Sequence, residues 1–224
     1  MLTLSFITGT EPGKWFERFR ERTRHGGLET LDSDDALALL IDAHADLALT
    51  RLPDTRVDET FHVVELYTET PGIAFSRDSF LAAESGGIDP AELEGEIINW
   101  SVPDSGEVDP AAVRDALQVV AANVGVVIAP RPLLKVLSRK QVEHRPFRSA
   151  AVTRIALVWR KDADSDAIQD FVGIARGRTA NSTRQAAPKR SAREKTLARQ
   201  ARRRGEKAQG AKRNPPGKKP GKRR

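Results

Sequence analysis

Short β-rich runs alternate with segments of helical periodicity over the first fifty residues. The β-rich runs are residues 2–7, 28–31 and 45–50. After the first run, Trp15, Phe16 and Phe19 recur at helical spacing among charged residues. After the second run, Ser33-Asp34 is predicted to cap another helix. The resulting order of strand, helix, strand, helix, strand predicts two right-handed βαβ units on a parallel sheet.

The same patterns continue to residue 175. Further strands are predicted at residues 61–67, 72–76, 97–100, 126–130 and 152–159. Further helices are predicted at residues 88–93, 110–123, 132–137 and 165–175. We therefore expect an α/β fold with two lobes, each a small sheet with flanking helices, joined by crossover strands near Phe75 and Val152.

Charge and composition divide the chain into a folded body and a tail. We assign residues 1–75 and 151–175 to the first lobe and residues 76–150 to a shortened second lobe. Residues 1–175 hold 18 Lys/Arg and 29 Asp/Glu, whereas residues 176–224 hold 19 Lys/Arg and 2 Asp/Glu, which gives −11 and +17. The tail has no apolar periodicity and too few apolar residues to offset the entropy of ordering, so we predict that it is disordered.

Several kinds of chemistry are excluded by composition or spacing. The chain has no cysteine, which excludes disulfides, thiolate nucleophiles and Cys-ligated metals. Its four histidines have no zinc-binding spacing, and neither a P-loop nor a Gly-x-Ser-x-Gly motif is present. We therefore expect no enzyme activity, no metal site and no cofactor.

Targeting signals are absent from the pattern as well. No secretory signal is visible, and no apolar segment approaches the ~20 residues that span a bilayer. We expect a cytoplasmic protein without membrane contact.

Polar residues cluster where two predicted strands end. Thr8-Gly9-Thr10 lies between the first strand and the first helix, where free backbone N–H groups and the helix dipole suit an anion. Thr50 and Arg51 end the third strand at the same edge of the sheet, where open α/β folds bind ligands. The alternative is that Thr10 is only a helix N-cap and Gly9 only a turn residue.

The order of elements resembles the effector-binding domain of LysR-type transcriptional regulators, which has the type II periplasmic-binding-protein fold. The resemblance covers roughly residues 1–175 and rests on an ordered set of segments, not on one motif. Those segments are Thr8-Gly9-Thr10 with its helix, the run from Leu37 to Pro53, Ile88-Asp89-Pro90-Ala91-Glu92-Leu93, the run from Val120 to Pro130, and Ile155-Ala156-Leu157-Val158-Trp159. The Thr-Gly-Thr-x-Pro-Gly-Lys-Trp segment near the start and the Arg-Gly-Arg-Thr-Ala-Asn-Ser segment after the last predicted helix look like a stand-alone actinobacterial form of that family.

The resemblance implies a ligand cleft between the lobes. It adds Ser101 and Val124-Gly125 to the candidate ligand-binding residues. Because the resemblance begins at the first residues, we expect a protein without the family's winged helix-turn-helix. Only eight residues separate Trp100 from Asp109, where the family usually has a helix and an additional strand. We therefore expect a shallower cleft.

Two functions follow from these observations. The leading hypothesis is a module that binds a small metabolite, with an anion as the favoured class, and acts in transcription regulation without its own helix-turn-helix; a homodimer is a candidate assembly. The alternative is a nucleic-acid- or ribosome-associated protein that binds through its tail. The candidate nucleic-acid-binding residues are Arg202, Arg203, Arg204, Lys212, Arg213, Lys218, Lys219, Arg223 and Arg224.

The lining of the cleft distinguishes these two hypotheses. A cleft lined by Thr8, Thr10, Thr50 and Gly125 favours ligand sensing, whereas a cleft filled by side chains favours the alternative.

Overall fold

The computed structural model describes residues 1–83, 85–148 and 152–177, which belong to one compact unit, Met1–Arg184. The strands are β1 (Leu2–Ile7), β2 (Leu28–Ser33), β3 (Leu47–Leu52), β4 (Phe61–Glu69), β5 (Pro71–Ser76), β6 (Ile98–Ser101), β7 (Val126–Pro130), β8 (Val142–Pro146) and β9 (Thr153–Arg160). The helices are α1 (Gly13–Arg22), α2 (Ala36–Ile41), α3 (Pro110–Ala121), α4 (Arg131–Leu137) and α5 (Asp166–Ala175). The predicted α/β class is confirmed. Residues 178–224 of the basic tail, which include all the candidate nucleic-acid-binding residues, lie outside the described residues.

The first sheet has the strand order β2-β1-β3-β9-β4. β1 pairs in parallel with both β2 and β3, so the two predicted βαβ units are confirmed. β9 and β4 extend this sheet antiparallel. One face of the sheet packs against α1 and α5, where the rings of Phe16 and Phe19 lie 6.2 and 5.6 Å from that of Phe171. On the other face, Leu37 and Leu40 of α2 are buried.

The second sheet has the strand order β6-β7-β5-β8. α3 and α4 cover one of its faces, and Val113, Leu117 and Leu133 belong to the buried cluster there. β8 is not expected from the sequence, because Glu143, His144 and Arg145 interrupt any apolar pattern. It forms because β5 offers it an unpaired edge.

α2 begins later than the predicted cap. Its N-cap is Asp35, whose Oδ1 accepts a hydrogen bond from the Ala38 N–H at 3.0 Å. Ser33 instead ends β2, and its hydroxyl oxygen accepts a hydrogen bond from the Asp35 N–H. The prediction that Ser33-Asp34 caps this helix is therefore wrong, and the Asp34 side chain remains available for another role.

Two segments of the chain cross between the sheets. β4 ends at Glu69 and β5 begins at Pro71, so the first crossover lies at Thr70 and not near Phe75. β5 pairs only with strands of the second sheet, so the predicted lobe border after residue 75 does not follow the division between the sheets. The second crossover leads into β9 at Thr153, next to the predicted Val152.

Arg51 of β3 connects both crossovers. Its Nε and Nη2 donate to the two carboxylate oxygens of Glu69 at 2.6 and 3.0 Å, and the Thr153 hydroxyl donates to Glu69 Oε2 at 2.7 Å. The side chains of Arg51 and Glu69 are only 3% and 1% exposed. A bidentate pair has a defined geometry, and loss of either partner would leave an uncompensated buried charge. This network therefore holds the end of β4 and the start of β9 against β3.

Glu69→Gln tests this network. The substitution leaves a buried guanidinium without its counter-charge, so we expect the free energy of unfolding to fall by about 3 kcal/mol or more in urea titrations. Glu65→Gln is the matched control, because Glu65 lies on the same strand but forms an exposed ion pair with Arg154. We expect a change of about 0.5 kcal/mol or less for the control. Equal losses in the two variants would contradict a structural role for the buried pair.

Candidate functional site

A cavity of about 690 Å³ lies between elements of the two sheets. We call it the cleft. From the first sheet and its loops it is lined by Ile7, Asp34, Asp35, Thr50, Arg51, Pro53, Asp54, Thr55 and Arg56. From the second it is lined by Trp100, Ser101, Pro103, Ser105, Glu107, Val108, Asp109, Pro110 and Ala112. Its volume is within the range of small-molecule sites in proteins.

Three of the predicted ligand-binding residues line the cleft. These are Thr50 and Arg51 of β3 and Ser101 of β6. β3 and β6 belong to different sheets, and both contribute their carboxyl ends, as expected for a site in an open α/β fold. These three positions are therefore brought together by the fold.

The predicted loop Thr8-Gly9-Thr10 has a different place. The Thr8 hydroxyl donates to Asp34 Oδ1 at 2.7 Å. Thr8 therefore positions the carboxylate of a lining residue and does not itself line the cleft. The Thr10 hydroxyl donates to the Ile7 carbonyl at 2.8 Å, and Pro12 is the residue that precedes α1. Neither the anion-site nor the N-cap interpretation of Thr10 matches this geometry.

Gly9 lies where the lobes touch. It has φ +96°, and a Cβ there would be 3.0 Å from the Leu133 Cα in α4. A side chain would therefore push the first lobe away from α4. Gly9 serves as a close contact and lines a second cavity between the lobes, not the cleft.

Val124 and Gly125 lie at the amino end of β7, away from the ends of β3 and β6 that line the cleft. Gly125 has φ +63°, and a Cβ there would be 2.1 Å from the Ile97 carbonyl oxygen. The Val124 carbonyl accepts a hydrogen bond from the Asn99 side chain at 2.7 Å. Both residues close the turn between α3 and β7, so their predicted contact with a ligand does not match the geometry.

Arg51 lines the cleft and carries one buried donor that the fold leaves unpaired. Two of its nitrogens bind Glu69, and Nη2 also lies 3.4 Å from the Thr8 carbonyl oxygen. Nη1 is buried and has no hydrogen-bond partner among the residues that the structure describes. An unpaired buried donor costs free energy, so a ligand acceptor at this position would be stabilising.

Carboxyl groups outnumber guanidinium groups in the cleft lining by five to two. The Asp35 carboxylate pairs with Arg56 through two hydrogen bonds of 2.7 and 2.9 Å, and Asp54 pairs with the same guanidinium at 2.7 Å. Arg56 lowers the pKa of Asp35, and the two carboxylates, Asp54 foremost, raise the pKa of Arg56. Asp109 is occupied as the N-cap of α3.

Asp34 joins the two lobes. Its Oδ2 lies 2.8 Å from Nη2 of Arg114 on α3. Burial opposes ionisation of Asp34, but the hydrogen bond from Thr8 and the Arg114 guanidinium outweigh it and hold the pKa of Asp34 below its ordinary value. The sequence pattern predicts only a role at a helix start for Asp34, because its place in the cleft depends on the end of β2 and α3 meeting across the lobes.

The short segment between Trp100 and Asp109 folds back onto the first lobe. Glu107 Oε1 accepts a hydrogen bond from the Thr55 N–H at 2.9 Å. Gly106, at φ +76°, approaches so closely that a Cβ would lie 2.8 Å from Pro53. This segment is thus a loop that covers one side of the cleft.

The lining does not match the expected preference for an anion. A net excess of carboxylates repels a ligand whose only feature is negative charge.

Within the described ranges, no group of three or more His, Asp or Glu side chains is placed to hold a metal ion. In the same part of the chain, no helix is long and apolar enough to cross a membrane.

Comparison with known proteins gives structural matches only. No protein-family model matches the chain, and no curated protein matches it by sequence. A full-length BenM variant is similar with a TM-score of 0.60 and 16% identity, over 84% of this chain and 70% of BenM. The effector-binding domain of another BenM variant matches with a TM-score of 0.59 and 16% identity, over 80% of this chain and 97% of that domain.

A Pseudomonas aeruginosa protein described as a LysR family transcriptional regulator is also similar. Its TM-score is 0.56 at 14% identity, and the match covers 78% of this chain and 70% of that protein. At these identities the likeness concerns the fold. The chain therefore has the two-lobed α/β fold of the effector-binding domains of LysR-type transcriptional regulators.

Proposed function

We propose that this protein binds a small metabolite in the cleft and acts in transcription regulation as a ligand-sensing module. The observation that carries the proposal is Arg51 Nη1, a buried donor without a partner among the described residues, at the wall of a 690 Å³ cavity. The likeness to effector-binding domains supports the same role by analogy of fold.

The lining defines the chemistry of the ligand. A ligand oxygen that reaches Arg51 Nη1 would supply its missing acceptor, and the half-buried Trp100 lines the same cleft. The excess of carboxylates favours a ligand that is neutral overall or carries a positive charge elsewhere. A polar zwitterion or a polar neutral compound fits this lining better than a simple anion.

Ligand binding would act on the contacts between the lobes. Asp34–Arg114 and Glu107–Thr55 both bridge the cleft. A ligand that binds better when these contacts are formed shifts the population toward the closed arrangement. The signal would then be the relative position of the two lobes.

A stability screen tests this proposal. Differential scanning fluorimetry of the full-length protein against amino acids, neutral polar metabolites, amines and carboxylates is expected to yield stabilising compounds from the first two groups. A ligand at a hundred times its Kd adds about 2.7 kcal/mol of stability.

Variants of α3 localise the binding. Ala112 lines the cleft, whereas its neighbour Ala111 is exposed outside it. Ala112→Phe is expected to abolish the stabilisation by filling the cleft, and Ala111→Phe to preserve it. Stabilisation that survives in Ala112→Phe, or a screen without a single stabilising compound, would contradict the proposal.

A second candidate function is carried by the charge of the tail. Residues 176–224 hold 19 Lys/Arg against Glu194 and Glu206, without an aromatic residue. Such a segment binds phosphates without reading sequence, because affinity comes from counterion release and no base stacking is available. The tail would thereby hold the sensing module near nucleic acid.

The salt dependence of DNA binding tests this second function. The full-length protein is expected to bind duplex DNA without sequence preference, more weakly as salt rises. Replacing Arg202, Arg203 and Arg204 by Gln should lower the slope of log Kobs against log salt by about 3, because each phosphate contact contributes about 0.9. An unchanged slope would show that these three arginines do not contact phosphates.

A further inference from the structure

A second cavity of about 620 Å³ also lies between the lobes. It shares no lining residue with the cleft. The first lobe contributes Trp15 of α1 and Tyr67 of β4, and the second lobe contributes Arg131 and Lys135 of α4 and His144 of β8. We call it the basic cavity.

The charge of the basic cavity is opposite to that of the cleft. Arg131 and Lys135 stand against a single carboxylate, Glu11. The Arg131 guanidinium forms no ion pair or hydrogen bond within the described residues. Lys135 pairs with Glu11 at 2.8 Å, but the two side chains are 61% and 72% exposed, so water and ligands compete readily for this pair. The cavity therefore offers a planar, unpaired cationic group that suits a carboxylate.

Aromatic groups line the same cavity. Trp15 packs against the hydrophobic core between the first sheet, α1 and α5 but remains partly exposed, and the Tyr67 residue is 42% exposed. Burial and the nearby Glu69 raise the pKa of Tyr67 to about 12, so its phenol remains a hydrogen-bond donor at neutral pH. Tyr67 and Trp15 together offer apolar ring faces to a ligand.

His144 adds an unused polar atom. Its Nδ1 is buried without a hydrogen-bond partner among the residues that can be described. Burial, and after it the charge of Arg131, lower the pKa of His144, so the ring is neutral at pH 7. A neutral imidazole can donate to or accept from a ligand, whichever its tautomer.

We propose that the basic cavity is a second ligand site and that it takes a small aromatic anion, with its carboxylate on Arg131 and its ring against Trp15 and Tyr67. Both lobes contribute to the cavity, so an occupant bridges them independently of the cleft. The proposal does not depend on the function proposed for the cleft.

Isothermal titration calorimetry of the full-length protein with 2-naphthoate tests the proposal. We expect a Kd on the order of 1 mM or tighter, as is typical for a ligand of this size. The neutral 2-naphthamide and the non-aromatic cyclohexanecarboxylate should each bind at least about tenfold more weakly, since one lacks the charge and the other the ring. Equal binding of either compound would overturn the proposed chemistry.

Matched variants place the site. Arg131→Gln is expected to weaken 2-naphthoate binding at least about tenfold, and Arg139→Gln, which removes an exposed charge just beyond α4, less than about twofold. Tyr67→Thr should weaken binding several-fold, whereas Val63→Thr, an exposed position on the same strand, should not. Equal effects of the two arginine variants would show binding by general charge, including that of the tail. Equal effects of the Tyr67 and Val63 variants would show that the ring of Tyr67 does not contact the ligand. Either result would overturn the proposal.

The cleft-filling variant separates the two sites. Ala112→Phe should leave 2-naphthoate binding unchanged, because Ala112 lines only the cleft. Loss of binding in this variant would place the anion in the cleft, which overturns the second site and leaves the proposal for the cleft intact.

Discussion

The buried Arg51–Glu69 ion pair is the constraint on which the arrangement of the two lobes depends. Glu69 ends one crossover, and Thr153, which donates to the same carboxylate, begins the other. Both connections between the sheets are therefore anchored on one β3 side chain. Three hydrogen bonds from Arg51 and Thr153 bind the two Glu69 oxygens, and Nη1 of Arg51 stays buried without a partner among the described residues. The same residue thus anchors both crossovers and carries the unpaired donor on which the proposal for the cleft rests.

The two cavities between the lobes are lined by charged groups of opposite sign. In the cleft, five carboxyl residues surround Arg51 and Arg56, and the pairings with Arg56, Arg114 and the Thr55 N–H satisfy most of them within the protein. In the basic cavity, Arg131 has no such partner among the described residues. If both proposed sites bind ligands, each ligand would act on the contacts between the lobes independently of the other.

The sequence predicts those elements whose pattern is local. The βαβ units follow from the β-rich runs and the spacing of Trp15, Phe16 and Phe19, and Thr50 and Arg51 follow from their position at a strand end. β8 could not be predicted, because its charged residues are tolerated only on a sheet edge beside β5. The roles of Gly9 and Gly125 could not be predicted either. A glycine in the sequence does not indicate whether its backbone faces a ligand, α4 or the Ile97 carbonyl.

The most direct test of this account is the NMR signal of the Arg51 side-chain Nε–H in full-length protein, assigned by its loss in Arg51→Lys. The account predicts slow exchange of this proton with solvent, because the group is buried and bound to Glu69, and a change in its chemical shift when a cleft ligand occupies Nη1. Arg154, whose side chain is 48% exposed, provides the fast-exchanging reference. Exchange of the Arg51 proton as fast as that of Arg154, with no response to a cleft ligand, would contradict it.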